Sequence, residues 1–368
     1  MVKKVEYGIL AIVLSLCLST RGVAYEVSDK LSIGGVLAGV YQYQSVSNAP
    51  GFDDKGRGAL PFQTEVCFTP TENDEIFVKF GFAASNGLNE SSPFLFSSWA
   101  ADLENDVKDI NGRNRDYLLT AWYKYTVKFG EGHTLGLTGG LLDATDYVDQ
   151  NAYANDEFTQ FMNEALTNGP NGFFPSYDIG GALEWDSGDF ALKVVGMNVG
   201  ENDDGRNFNW YGAEFAYTLH TRLGEGHYRV IVDRTSKDFN NPAGNKKKSL
   251  SCFMLSFDQQ LGEVLGAWVR LGKQDDDAAI ICENLYSGGI DINGRLWGRG
   301  DDNMGIGYAN LRGGNLDVDQ THVLEIYARF ALSSIFALTA DVQYMKDEMK
   351  QGDSPRGVIY GLRLTAEF

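Results

Sequence analysis

From Tyr117 to Phe129 every second residue is apolar or aromatic: Tyr117, Leu119, Ala121, Tyr123, Tyr125, Val127 and Phe129. The interleaved residues are Leu118, Thr120, Trp122, Lys124, Thr126 and Lys128, a mostly polar set. A helix scatters such a pattern around its axis, whereas a strand sends successive side chains to opposite faces. The alternation therefore predicts a strand with one apolar and one polar side. It recurs in sixteen segments, near 31–44, 60–70, 75–84, 116–129, 133–143, 177–186, 190–199, 208–219, 227–235, 249–261, 264–273, 286–298, 303–311, 320–332, 335–345 and 356–368.

The connections sort by length. Those after even-numbered segments are turns, such as Thr71-Glu72-Asn73-Asp74, Gly130-Glu131-Gly132 and Ser187-Gly188-Asp189. Those after odd-numbered segments are long and polar, notably 45–59, 85–115, 144–176, 236–248, 274–285 and 346–355. An even strand count with short turns at one rim and long loops at the other describes a transmembrane antiparallel β-barrel. Beyond residue 24 no apolar run is long enough for a spanning helix, which needs about 20 residues. The apolar parity then faces lipid and the polar parity faces the lumen. In the last segment Tyr360, Leu362, Leu364, Ala366 and Phe368 share the apolar face, ending on an aromatic residue that resembles an outer-membrane assembly signal.

Residues 1–24 read as a signal peptide, with Lys3 and Lys4 before the apolar run Gly8–Leu18 and small residues at Gly22-Val23-Ala24. Residues 25–368 are expected to be the barrel, placed in the outer membrane of a Gram-negative-type bacterium. The net charge of −19 argues against nucleic acid as a partner. The four histidines belong to no recognisable catalytic motif, and the acidic clusters lack the spacing of a metal loop, so no catalytic residue, cofactor or metal ligand is expected. Cys67, Cys252 and Cys282 leave an odd count beyond residue 24, with a Cys252–Cys282 disulfide open as an alternative to free thiols.

On the lumen parity lie Glu65, Lys79, Lys124, Trp210, Arg229, Arg270, Arg295, Arg329 and Arg363, the residues expected to line the pore. Guanidinium and carboxylate groups bond hydroxyls in pairs, and Trp or Tyr can stack on a sugar ring. The third long loop brings Asp143, Asp146, Asp149, Asn151, Asn155 and Asp156, the expected constriction. It continues as an expected short helix capped by Asn155, with Phe158, Phe161, Met162 and Ala165 as a stripe packing the loop on the wall. A loop with its own packing face opposite arginines suits a folded-in constriction.

The stretch Gly140-Leu141-Leu142-Asp143-Ala144-Thr145-Asp146-Tyr147 through Phe158-Thr159-Gln160-Phe161-Met162-Asn163 resembles the carbohydrate-selective porins of the OprB type. The opening segment Leu31–Tyr43 and the final strand are similar as well. The resemblance implies a sixteen-stranded porin that passes sugars by diffusion through an arginine- and carboxylate-lined eyelet. The expected partners are small sugars and other hydrophilic solutes, outer-membrane lipid and lipopolysaccharide, the barrel-assembly machinery and a homotrimer. A general, cation-leaning porin is the alternative within transport, and a structural anchor or receptor the alternative outside it.

Overall fold

The computed structural model describes residues 24–202 and 205–368; the expected signal peptide, all but its last residue, lies outside the described residues. The alternating segments become sixteen antiparallel barrel strands: β1 (Leu31–Ser47), β2 (Lys55–Phe68), β3 (Asp74–Ala84), β4 (Leu118–Phe129), β5 (His133–Leu142), β6 (Asp178–Ser187), β7 (Phe190–Val199) and β8 (Phe208–Thr221). The second half comprises β9 (Gly224–Thr235), β10 (Ser251–Leu261), β11 (Leu265–Gln274), β12 (Cys282–Asn293), β13 (Asn303–Gly313), β14 (Val318–Ala331), β15 (Phe336–Met349) and β16 (Arg356–Glu367). Each strand pairs with the next, and β16 pairs with β1 from Arg356↔Ser47 to Glu367↔Val36. Closure leaves no unpaired edge, the condition for a sheet to stand in hydrocarbon. A short strand, Tyr25–Ser28, adds to β1, and Phe368 closes the seam by exchanging main-chain bonds with Gly35 and stacking near Phe62.

Burial is inverted relative to a water-soluble protein. Tyr41, Leu60, Tyr123, Leu137, Tyr211, Val269, Tyr344 and Leu364 point outward and are exposed, while Gln44, Arg270, Glu325, Gln343 and Arg363 on the other parity are buried. A barrel in a bilayer needs this arrangement, because charge on the lipid face costs about 2–4 kcal/mol near the midplane.

Several strands run further toward the long loops than the alternation suggested. The β1–β2 loop shrinks to 48–54, since pairing continues to Gln44↔Lys55. At the other rim β12 stops at Asn293, whose side chain accepts from the Arg295 N–H and starts a 3-10 turn, Gly294–Trp297. Arg295 is therefore not on the lumen face, as its parity suggested, but on an exposed turn 3.6 Å from Glu263. Between Lys79 and Phe80 of β3 the register with β4 shifts, which leaves Leu119 unpaired and turns it inward onto Val107, Ile110 and Tyr177. Cys252 and Cys282 remain thiols. They lie on β10 and β12 with β11 between them, and two strand spacings of about 4.8 Å exceed the Cα separation a disulfide spans.

Candidate pore and constriction

Two long loops fold into the barrel. Loop three (143–177, between β5 and β6) crosses the lumen, and the wall meets its main chain with charged groups of both signs. The Arg270 guanidinium donates to Asp149 Oδ1 at 2.8 Å, to the Leu166 carbonyl at 3.0 Å, and to the carbonyls of Ala154 and Thr167. Arg363 donates to the carbonyls of Glu157 (2.6 Å) and Gln160 (3.0 Å). The carboxylates take the N–H groups: Glu325 accepts from Met162 and Asn163 at 2.6 and 2.9 Å, Glu214 from Asp149 at 2.8 Å, and Asp258 from Ala152 at 3.2 Å. A loop in the lumen has no ladder of its own for these backbone groups, so buried side chains must supply their partners.

The apolar stripe of loop three is buried. Phe161 packs edge-on against Trp268 and Tyr327, with ring centroids 5.6 and 5.0 Å apart, and Phe158 meets Trp99. The expected helix, however, contracts to one turn, Glu164–Thr167, capped by Asn163 rather than Asn155. Upstream, Asp156 accepts from Phe158 and Thr159, and the Gln160 side chain accepts from the Asn155 and Asp156 N–H groups. These local bonds compete with a helical ladder and hold a turn instead. Glycine at 266 lets the Tyr153 ring lie against β11, where any Cβ would collide with it.

Loop two (85–117) is the second inward loop. Ser98 offers its carbonyl to Gln42 and Gln343, at 3.0 and 2.9 Å. The Ala100 N–H donates to the Met162 carbonyl, Trp99 Nε1 donates to Glu157, and Asp102 accepts from Gln63 and from the Tyr177 hydroxyl. The strand alternation assigns this loop no role. Its signal was there in Phe94, Phe96, Trp99, Leu103 and Val107, apolar residues in a connection otherwise polar and all buried.

Beneath loop three, toward the short turns, lies a cavity of about 1150 Å³. Of the residues expected to line the pore or constrict it, Glu65, Lys79, Lys124, Arg329, Asp146, Asn151, Asn155 and Asp156 border it. Lys79 stands 3.4 Å from Glu65, Lys124 2.5 Å from Glu184, and Arg329 2.8 Å from Glu367. The other wall comes from Asp291, Asn293, the 300–303 turn and the 331–336 turn. Trp122, stacked on Phe77 at 5.1 Å, and Tyr153 add aromatic faces. Burial, then the neighbouring Asp143, raises the Asp146 carboxyl to about 7.

The remaining expected residues sit elsewhere. Arg270 and Arg363 are fully buried on loop-three carbonyls and do not border the cavity. Arg229 is buried against Asp258 at 2.5 Å. Trp210 is fully buried with Phe174 beside it, because loop three covers that stretch of the wall. Asp143 accepts from Thr145 and caps a 3-10 turn, and Asp149 is the partner of Arg270. Parity identified the inward side of each strand, but it carried no information on what a loop would cover.

Comparisons with known proteins agree with this architecture. The family model "Carbohydrate-selective porin, OprB family" matches residues 100–368. An uncharacterized protein of Aquifex aeolicus (strain VF5) is 33% identical over 298 residues, 80% of this chain and 84% of its own length. Among solved structures, the high-pH structure of Pseudomonas putida OprB superposes with a TM-score of 0.74 at 14% identity, covering 92% of this chain and 94% of that one. The outer-membrane channel DcaP of Acinetobacter baumannii gives 0.57 at 10% identity, over 94% and 99% of the two chains. A closed sixteen-stranded barrel with lipid-facing aromatics, inward loops and a polar cavity is a channel and not an enzyme, and the chain belongs to the OprB family of carbohydrate-selective porins, a porin of the outer membrane.

Proposed function

We propose that the barrel passes small sugars and similar hydrophilic solutes by passive diffusion through the cavity beneath loop three. The observation that carries this reading is the pairing of aromatic faces with dense polar groups in one cavity: Trp122 and Tyr153 beside Glu65, Lys79, Asp146, Gln150 and Gln160. Sugars present apolar ring faces and hydroxyl rims, which such a lining matches. The eyelet is set by the Lys79–Glu65 and Arg329–Glu367 pairs facing Asp146 and Asp156 of loop three. Arg270 and Arg363 act one step back, fixing where that loop stands. Residues 1–24 serve as the export leader and 25–368 as the barrel, which the assembly machinery inserts and which forms a homotrimer.

In planar bilayers the porin is expected to conduct, and added glucose is expected to reduce the conductance. Trp122→Ala should weaken that block about five- to tenfold, the loss of one aromatic contact of about 1–1.5 kcal/mol. No conductance, or a block indifferent to Trp122, would remove the sugar reading. One observation favours a cation-leaning pore: nine carboxylates line the cavity against three basic side chains. A reversal potential in a salt gradient decides that point, since an anion preference would contradict it.

A further inference from the structure

We propose that the outer face of β11–β16 and β1, at the rim of the long loops, docks the phosphate-bearing headgroup of an anionic outer-leaflet lipid. The strand register places a basic ladder there. Lys273 stands opposite Asn284, Asn284 opposite Arg312, and Arg312 opposite Gln320. On the following strands His322 faces Lys346, Lys346 faces Arg356, and Arg356 faces Ser47. All share the parity of the lipid-facing Tyr344 and Tyr360. Directly opposed side chains in an antiparallel pair stand about 5 Å apart, and like charges so placed repel unless an anion lies between them.

The local carboxylates cover part of this charge. Glu348 lies 2.5 Å from Lys346 and 3.8 Å from His322, and Glu283 lies 3.3 Å from Lys273. Among the described residues Arg312 and Arg356 have no carboxylate within salt-bridge distance, and both are exposed. Arg312 instead lies over the Tyr286 ring at 4.9 Å, and Arg356 donates to Ser47. On the membrane side of these groups run Tyr286, Tyr308, Tyr344, Tyr360 and Tyr43, all exposed, followed by aliphatic side chains. Tyrosine girdles sit at the level of lipid headgroups. The ladder therefore stands where the headgroup of a lipid would be, with the barrel's apolar band below for its chains.

Elsewhere on this rim the basic groups stand singly: Arg113 donates to Asn198, and Arg234 lies between Tyr211 and Ser251. There Leu141 faces Ile179, Ile179 faces Asn198, and Asn198 bonds Asn209. A phosphate group on the Lys346–Arg356 rung accepts charge-assisted bonds from both and relieves their repulsion, and a second phosphate of the same headgroup meets Arg312.

The test is native mass spectrometry of the purified porin from mixed detergent micelles, with lipid A, phosphatidylcholine or inorganic phosphate as the probe. Lipid A is expected to stay bound to the wild-type protein. Its retention should fall about tenfold or more in an R312Q/K346Q/R356Q variant, while phosphatidylcholine retention stays unchanged. A heat-modifiability gel confirms that the variant is folded. R312Q and R356Q alone, each with a smaller loss, keep the test readable if the triple variant fails to fold. R222Q, in the exposed β8–β9 turn, should leave retention as in the wild type. Equal retention in all variants, an equal response to inorganic phosphate, or a second copy of the porin in place of lipid on this face would overturn the assignment.

Discussion

The two halves of the lumen are built from the same alternating strands and end up unlike. Toward the long loops, Met254, Trp268, Leu285 and Tyr327 on the wall pack with Phe161 and Leu166 of loop three into a buried apolar cluster. Toward the short turns, Lys79, Lys124, Asp291 and Arg329 stand around a polar cavity. The charged side chains divide in the same way. Arg270 and Arg363 are spent on carbonyls of loop three, whereas Arg329 and Lys79 pair with carboxylates at the cavity wall. The lesson is that inward does not mean wet, because a loop that fills the upper lumen turns its wall into an ordinary protein core.

The sharpest way to break this division is to free loop three. Arg270→Ala leaves Asp149 charged and buried and four bonds unmade, which should cost about 3–5 kcal/mol of stability. If loop three swings aside, single-channel conductance rises as well; an unchanged conductance would mean that the loop does not set the bore. Glu325→Gln keeps the shape but replaces one of its two accepting oxygens by an NH2 donor, so one of the bonds from the Met162 and Asn163 amides is lost. A loss of about 1.5–3 kcal/mol is expected, read as faster hydrogen exchange at those amides before others in loop three.

Changes in the lower half should alter selectivity and leave the fold alone. Lys79→Gln removes one of the three cations at the cavity, so cation preference measured by reversal potential should rise about twofold, with thermal stability changed by less than about 1 kcal/mol. The acidity of Asp146 predicts a pH effect of defined sign. Burial, with Asp143 beside it, raises its carboxyl to about 7. Raising the pH from about 6 to about 8 therefore removes its proton, adds a negative charge to the wall and strengthens cation preference. Asp146→Asn should flatten that pH profile, and a profile unchanged by the substitution would assign it to another group. The smallest effect belongs to Arg295→Ala. On an exposed turn, it should change stability by less than about 0.5 kcal/mol and leave sugar block untouched.

Much of the barrel was legible because strand periodicity is local: parity at Tyr123, Tyr125 and Phe129 alone says which side meets lipid. The sorting of connection lengths supplied strand count and orientation. The site was less legible, for reasons that lie in individual residues. Arg295 follows the lumen parity only if β12 continues, and Asn293-Gly294, a capping and turn pair, ends it. Asn155 and Asn163 are both competent caps. The choice between them rests on Gln160 taking the Asn155 and Asp156 amides, a contact no spacing rule contains. Arg270 and Arg329 look alike on their strands and differ only in what covers them. Loop two escapes the alternation because its apolar residues have no regular period, although Trp99 and Leu103 are almost fully buried.

The central claim is that the polar, aromatic-bearing cavity below loop three favours sugars over other solutes of the same size. Liposome swelling tests it most directly, with glucose-sized sugars run against size-matched neutral amino acids. The sugars are expected to enter faster, and Trp122→Ala should bring the two rates together. Equal rates in the wild-type porin would contradict the claim and leave a pore that sorts by size and charge alone.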